Sequence, residues 1–165
     1  MTQMSMANDG IITPEMEEIL KKENISEDFL KHNIQTGKIA IIPSRTSDNH
    51  VALGEGLTSK ILSNVGTSTD SINSRKIIEF VKIVEKNGAS IICDQSSGPK
   101  FFHHRKSLLQ ATSLPLAAIP LYLNAEKSLR KHGDPLEFTS EDVITKDIFL
   151  IVLIPLVFFD LRQIL

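Results

Sequence analysis

Ser90-Ile91-Ile92-Cys93-Asp94 is a short apolar run closed by an acid, and similar runs stand on either side of it: Lys60-Ile61-Leu62-Ser63-Asn64 before and Leu116-Ala117-Ala118-Ile119 after. Their spacing of roughly thirty residues is what a crossover through a helix requires between parallel strands. The intervening segments supply the helices. Ile77, Ile78, Val81 and Val84 line one face of a segment capped by Asp70 or Ser71 and stopped at Asn87-Gly88. Phe101 to Ala111 gives a second helix, and Tyr122 to Lys131 a third that ends before Gly133 and Pro135. Alternating strands and helices predict an α/β fold of parallel βαβ units. Such units build either a doubly wound sheet or the start of a (β/α)8 barrel, and in both the ligand sits at the carboxyl ends of the strands. That rule selects Asn64, Cys93, Asp94 and Tyr122, with Gly66, Thr67 and Ser68 adding a flexible glycine and small donors. Asp94 either hydrogen-bonds within a site or caps the loop that follows it.

Upstream, Thr13 is a good N-cap, Pro14 fits the first helical position, and Glu15, Glu17 and Glu18 put negative charge near the positive end of a helix. Ser26 caps a second helix, with Glu27 and Asp28 in its first turn, Phe29, Leu30 and Ile34 on its apolar side, and Gly37 as its stop. Ile39 to Ile42 reads as a short strand ending at Pro43. Gly54-Glu55-Gly56 lacks the third glycine and the helix of a dinucleotide fingerprint and reads as a turn.

The chain has 165 residues, 41% of them hydrophobic and 23% charged, which predicts a globular protein of one domain. A net charge of -2, no Trp and a single Tyr supply neither a basic stripe nor stacking platforms, so nucleic acid is excluded as a partner. Met1 to Gly10 is polar and shows no secretory signal, so the expected location is the cytoplasm. The lone Cys93 has no partner for an internal disulfide and reads as a buried small hydrophobe. His103-His104 point about 100° apart on a helix and, with Arg105 and Lys106, read as a solvated face rather than a metal site. His32, His50 and His132 lack ligand spacing.

Met1-Thr2-Gln3-Met4, followed by Gly10 to Met16, resembles the opening of the short form of the phosphomethylpyrimidine synthase family. Gly54-Glu55-Gly56-Leu57 resembles the family's glycine pair, and Asn64-Val65-Gly66-Thr67-Ser68 its Asn-Ile-Gly segment. Asp94-Gln95-Ser96-Ser97-Gly98 is similar to Asp-Leu-Ser-Thr-Gly, and Ile119-Pro120-Leu121-Tyr122 to Val-Pro-Ile-Tyr. The resemblance implies a small N-terminal domain before a (β/α)8 barrel. It also implies the radical rearrangement of aminoimidazole ribotide to the phosphorylated hydroxymethylpyrimidine, with a [4Fe-4S] cluster, S-adenosylmethionine and a divalent metal such as zinc. Asn64 and Tyr122 then fall on substrate-binding positions, and Cys93 falls where the family has a substrate-contacting Met.

The family's later His, Ser-Arg-Gly segment, Asp, Glu, metal-binding histidines and trio of cluster cysteines have no counterpart here. The expected organisation is therefore an N-terminal helical cap over residues 1–50, a partial barrel over 51–147 and a foreign tail over 148–165. Ile148 to Phe159 is an uninterrupted apolar run that contains Pro155. It is shorter than the roughly 18 to 20 residues a bilayer-spanning helix needs and predicts a buried or sticky segment, with a reading frame lost near Leu150. The functional expectation is a truncated family member, inactive alone. The alternative is a ribotide-binding or partner-docking module, through self-association or docking on a full-length relative.

Overall fold

Three helices open the chain: α1 (Gln3–Asn8), α2 (Pro14–Glu23) and α3 (Glu27–Gln35). The structure, a computed structural model, describes residues 2–68, 73–97, 101–137 and 139. The Thr13 hydroxyl accepts from the Met16 amide and the Ser26 hydroxyl from the Phe29 amide, each at 3.3 Å. Each cap thus satisfies a donor that the first helical turn leaves unpaired. α1 goes beyond the sequence expectation. Six residues are too few to show a periodic stripe, and its start depends on a reciprocal cap between Thr2 and Ser5, with bonds of 3.0 and 3.1 Å. At its other end Gln35 Nε2 donates to the Ala7 carbonyl at 2.8 Å and ties it to α3.

β1 (Ile39–Pro43) pairs antiparallel with β2 (His50–Gly54), from Ile39 opposite Gly54 to Pro43 opposite His50. The sequence reading had no strand at 50–54, so the N-terminal part is not helical alone. Gly54 is required by this pairing, because a Cβ there runs into the Lys38 carbonyl and comes within 2.7 Å of the Ile39 Cα. Met16, Ile19, Leu30, Ile34, Ile39 and Ala52 close one apolar core between helices and hairpin. Enclosing each of the Met, Leu and Ile side chains stabilises by roughly 1.5–3 kcal/mol.

The second half is a parallel sheet in the order β3 (Leu62–Val65), β4 (Ile91–Asp94), β5 (Leu116–Ala118), threaded by α4 (Ser74–Lys86) and α5 (Phe101–Ala111) and followed by α6 (Pro120–His132). The parallel βαβ units read from the sequence are present. β3 starts two residues later than Lys60, and Asn73 caps α4 by accepting from the Lys76 amide at 3.1 Å. Asp70 and Ser71, expected in that role, lie outside the described residues, as does the run Ile148–Phe159. Strand alternation divides the sheet's side chains. Val65, Ile92 and Leu116 pack with Val81 of α4 and Leu108 of α5, whereas Ile91, Cys93 and Ala117 pack against Ile42 and Val51 of the hairpin. Helices thus cover one face and the hairpin the other. The loop between β1 and β2 is pinned at the amino end of β5, with Thr46 Oγ1 donating to the Thr112 carbonyl at 2.8 Å and Ser47 Oγ to the Ser113 carbonyl at 2.7 Å.

Candidate functional site

The carboxyl ends of β3 and β4 are knitted by backbone and hydroxyl groups. The Gln95 amide donates to the Val65 carbonyl at 2.7 Å, the Thr67 amide to Ser96 Oγ at 3.1 Å, and the Ser97 amide to the Thr67 carbonyl at 2.8 Å. Gly66 makes this approach possible, since a Cβ on it falls 2.7 Å from both the Gln95 carbonyl carbon and the Ser96 nitrogen. The glycine selected for its flexibility thus serves the close approach of the neighbouring loop. Against these turns lies a cleft of about 470 Å³, lined by Asn64, Thr67, Ser68, Gln95, Ser97 and Tyr122 among others. Its chemistry is amide, hydroxyl and phenol, and none of the described lining side chains carries a full charge at neutral pH.

Of the three residues selected as substrate-binding, the fold brings Asn64 and Tyr122 to this one cleft, both exposed to solvent. Asn64 arrives there as the penultimate residue of β3, and Tyr122 from the first turn of α6, which Pro120 starts directly after β5. Cys93 stands beside Asn64 and Ala117 in the strand register, yet it is 8% exposed and belongs to the apolar cluster under the hairpin. Burial pushes its thiol pKa up and the Asp94 charge adds to this, against the opposing pull of Arg105. At neutral pH it is a protonated, weakly nucleophilic thiol.

Asp94 turns the other way, toward the helices, and is wholly buried. Its Oδ1 accepts from the Ser96 amide and its Oδ2 from Arg105 Nε, both at 2.9 Å. Of its two readings, the one that ties down the following loop is the one the structure holds. The same pair corrects the expectation for α5. His104 and Arg105 are buried, and only His103 and Lys106 of that run face solvent. Four consecutive polar residues carry no periodicity, so nothing in the run indicated that Arg105 reaches a buried carboxylate. Gln95 and Ser97 were likewise not singled out as lining residues; their signal was adjacency to the strand end at Asp94.

A smaller cavity of about 230 Å³ opens at the opposite end of the sheet, between α2, the hairpin and Lys60. Its polar groups are matched internally: Lys60 Nζ lies 2.9 Å from Glu23 Oε1, and His50 Nδ1 lies within hydrogen-bond distance, 2.6 Å, of Glu18 Oε2. Such a set holds elements together.

Comparison with known proteins bears on the cleft. The profile described as the Radical SAM ThiC family matches residues 2–148. The chain belongs to that family. It is 37% identical over 145 residues to the phosphomethylpyrimidine synthase of Dehalococcoides mccartyi, across 87% of this chain and 34% of the relative. The phosphomethylpyrimidine synthase of Pyrococcus abyssi matches equally, at 37% over 145 residues with the same 87% and 34% coverage. A 5-hydroxybenzimidazole synthase of Desulforapulum autotrophicum is 32% identical over 142 residues, covering 85% of this chain and 32% of the relative. The chain thus spans about a third of the length of these curated relatives.

The family's name implies an iron-sulfur cluster, which several cysteine thiolates must hold. The donor set here does not fit one. The sequence has a single cysteine, its thiol is buried among aliphatic side chains, and no group of three His, Cys, Asp or Glu suited to a metal ion exists among the described residues. Among those residues no helix is long and apolar enough to cross a membrane.

Proposed function

We propose that this chain provides part of the substrate-binding face of a phosphomethylpyrimidine synthase, with Asn64 and Tyr122 contacting aminoimidazole ribotide and Cys93, beside Asn64 in the sheet register but packed under the hairpin, outside the contact. The observation that carries this reading is the meeting of Asn64 and Tyr122 at one cleft on the carboxyl ends of parallel strands, where folds of this class bind ligands. Sequential strand order with α4 and α5 on one face supports the start of a (β/α)8 barrel. An amide and a phenol suit the ring nitrogens and hydroxyls of a ribotide.

In this reading the 165 residues do not complete the reaction alone, because one cysteine does not hold the cluster. Anaerobic reconstitution with iron and sulfide is expected to leave the purified chain without a cluster and without turnover of ribotide. A reconstituted cluster with product formation would overturn this. The 5-hydroxybenzimidazole synthase among the relatives carries a second reading, in which the same cleft serves that product. Product analysis of an enzyme assembled from this chain and the remainder of a relative decides between the two.

A further inference from the structure

In the turn that leaves β4, Gln95 and Ser97 line the cleft and Ser96 between them does not. Ser96 is wholly buried and borders a small cavity with Ile78 of α4 and Leu108 of α5. A hydroxyl placed there is out of a ligand's reach, so its role is read from its bonds. The Ser96 amide donates to Asp94 Oδ1 at 2.9 Å, and its Oγ accepts from the Thr67 amide at 3.1 Å. Arg105 Nε in turn donates to Asp94 Oδ2 at 2.9 Å. A line of hydrogen bonds therefore runs from α5 through a buried carboxylate and a buried serine to the turn beyond β3. It ends on a wall of the cleft, since Gly66, Thr67 and Ser68 all line it.

The other ties between the two turns do not replace this one. The Gln95 amide on the Val65 carbonyl, at 2.7 Å, and the Ser97 amide on the Thr67 carbonyl, at 2.8 Å, run from backbone to backbone. The hydroxyls of Thr67 and Ser97 add longer contacts of 3.5 Å to each other's carbonyls. The Thr67 amide is served by the Ser96 hydroxyl, and Thr67 is 4% exposed, so water is a poor substitute there. Loss of that hydroxyl takes the anchor from the peptide unit between Gly66 and Thr67 and leaves the bonds on either side in place. Asn64 stands two residues before this unit and Ser68 directly after it, both on the cleft. Side chains that meet a ligand keep a productive geometry when groups behind them fix the backbone in this way.

We infer that Ser96 is a positioning residue for the cleft: its hydroxyl fixes the peptide between Gly66 and Thr67, and through it Asn64 and Ser68, without touching the ligand. The inference rests on the ribotide reading proposed above. The test is calorimetric titration of aminoimidazole ribotide into the enzyme assembled from this chain and the remainder of a relative. Amide hydrogen exchange at residues 66–68 and the melting temperature are measured on the same preparations. Ser96→Ala is expected to speed exchange at the Thr67 amide and to weaken ribotide binding, each about tenfold. Ser96→Thr keeps the hydroxyl, has the neighbouring cavity for its methyl, and should restore both. Ile34→Val, a shortened side chain in the N-terminal core, should lower the melting temperature to a similar degree and leave affinity at the parent's value. Parental affinity in Ser96→Ala would overturn the positioning role while leaving the ribotide reading intact. Equal weakening by Ile34→Val would overturn it as well, because affinity would then follow stability alone. Absence of ribotide binding in the parent would overturn the ribotide reading and this inference with it.

Discussion

At the amino end of the parallel sheet Glu18, Lys22, Glu23 and Lys60 pair with one another and His50 bonds to Glu18, whereas at the carboxyl end Asn64, Ser68 and Tyr122 stand exposed around a cleft whose described lining side chains carry no full charge. Both ends hold polar side chains; the first pairs charged ones with each other, whereas at the second the bonds run between hydroxyls and the loop backbone. Paired charges hold α2, the hairpin and the start of β3 in place, so their loss should be felt in stability. The exposed amide and phenol make no comparable bracing contacts, so their loss should be felt in ligand affinity. The buried Asp94 and Arg105 pair lies at the carboxyl end too, next to the cleft, yet belongs with the bracing.

That pair should produce the largest effect. Arg105→Leu leaves the fully buried Asp94 carboxylate without its ion partner, and chemical denaturation is expected to show a loss of about 3–5 kcal/mol. A loss below about 1 kcal/mol would move Asp94 out of the bracing class. Gly66→Ala comes next. Its Cβ would meet the Gln95 and Ser96 backbone at 2.7 Å, and overpacking against main chain costs about 1–3 kcal/mol. Ligand affinity should fall with it, since the same turn lines the cleft, and a neutral substitution would show that the two loops do not meet as described.

The amino-end cluster predicts an acid-dependent effect of smaller size. Burial pushes the Glu23 carboxyl up, but Lys60 and the Thr58 amide and hydroxyl outweigh it and hold the group below the ordinary glutamate range. Burial acts likewise on Glu18 and is outweighed by Lys22 and His50. A depressed carboxylate contributes stability that is fully present above its unfolded pKa, near 4.3, and is lost as pH falls through the folded value. The melting temperature should therefore decline below about pH 4, and Glu23→Gln should lower it at pH 7 while flattening the acid decline. An acid limb unchanged by that substitution would remove Glu23 from the account.

What the sequence made legible follows from which features are local. The caps at Thr13 and Ser26, the apolar runs at 91–93 and 116–118 and the stop at Asn87-Gly88 each depend on a few adjacent residues, and the structure holds all of them. β2 was not legible because its five residues become a strand only when β1 pairs with them, and α1 because six residues show no period. The burial of Arg105 escaped notice for a related reason. Strand parity decides which way Asp94 points, and Asp94 in turn decides which α5 residue is drawn inward. Asn64 and Tyr122 were legible as strand-end residues, whereas the position of Cys93 within the apolar cluster required knowing that a hairpin covers that face.

The most direct test of the central claim is calorimetric titration of aminoimidazole ribotide into the complex of this chain with the remaining part of a relative. The comparison is among the parent, Asn64→Ala, Tyr122→Phe and His103→Ala. The account predicts that the first two variants weaken binding about tenfold, equivalent to about 1.4 kcal/mol, with thermal stability unchanged, while His103→Ala binds as the parent does. Equal affinity in all four, or equal loss in all three variants, would contradict the placement of the ligand at the strand-end cleft.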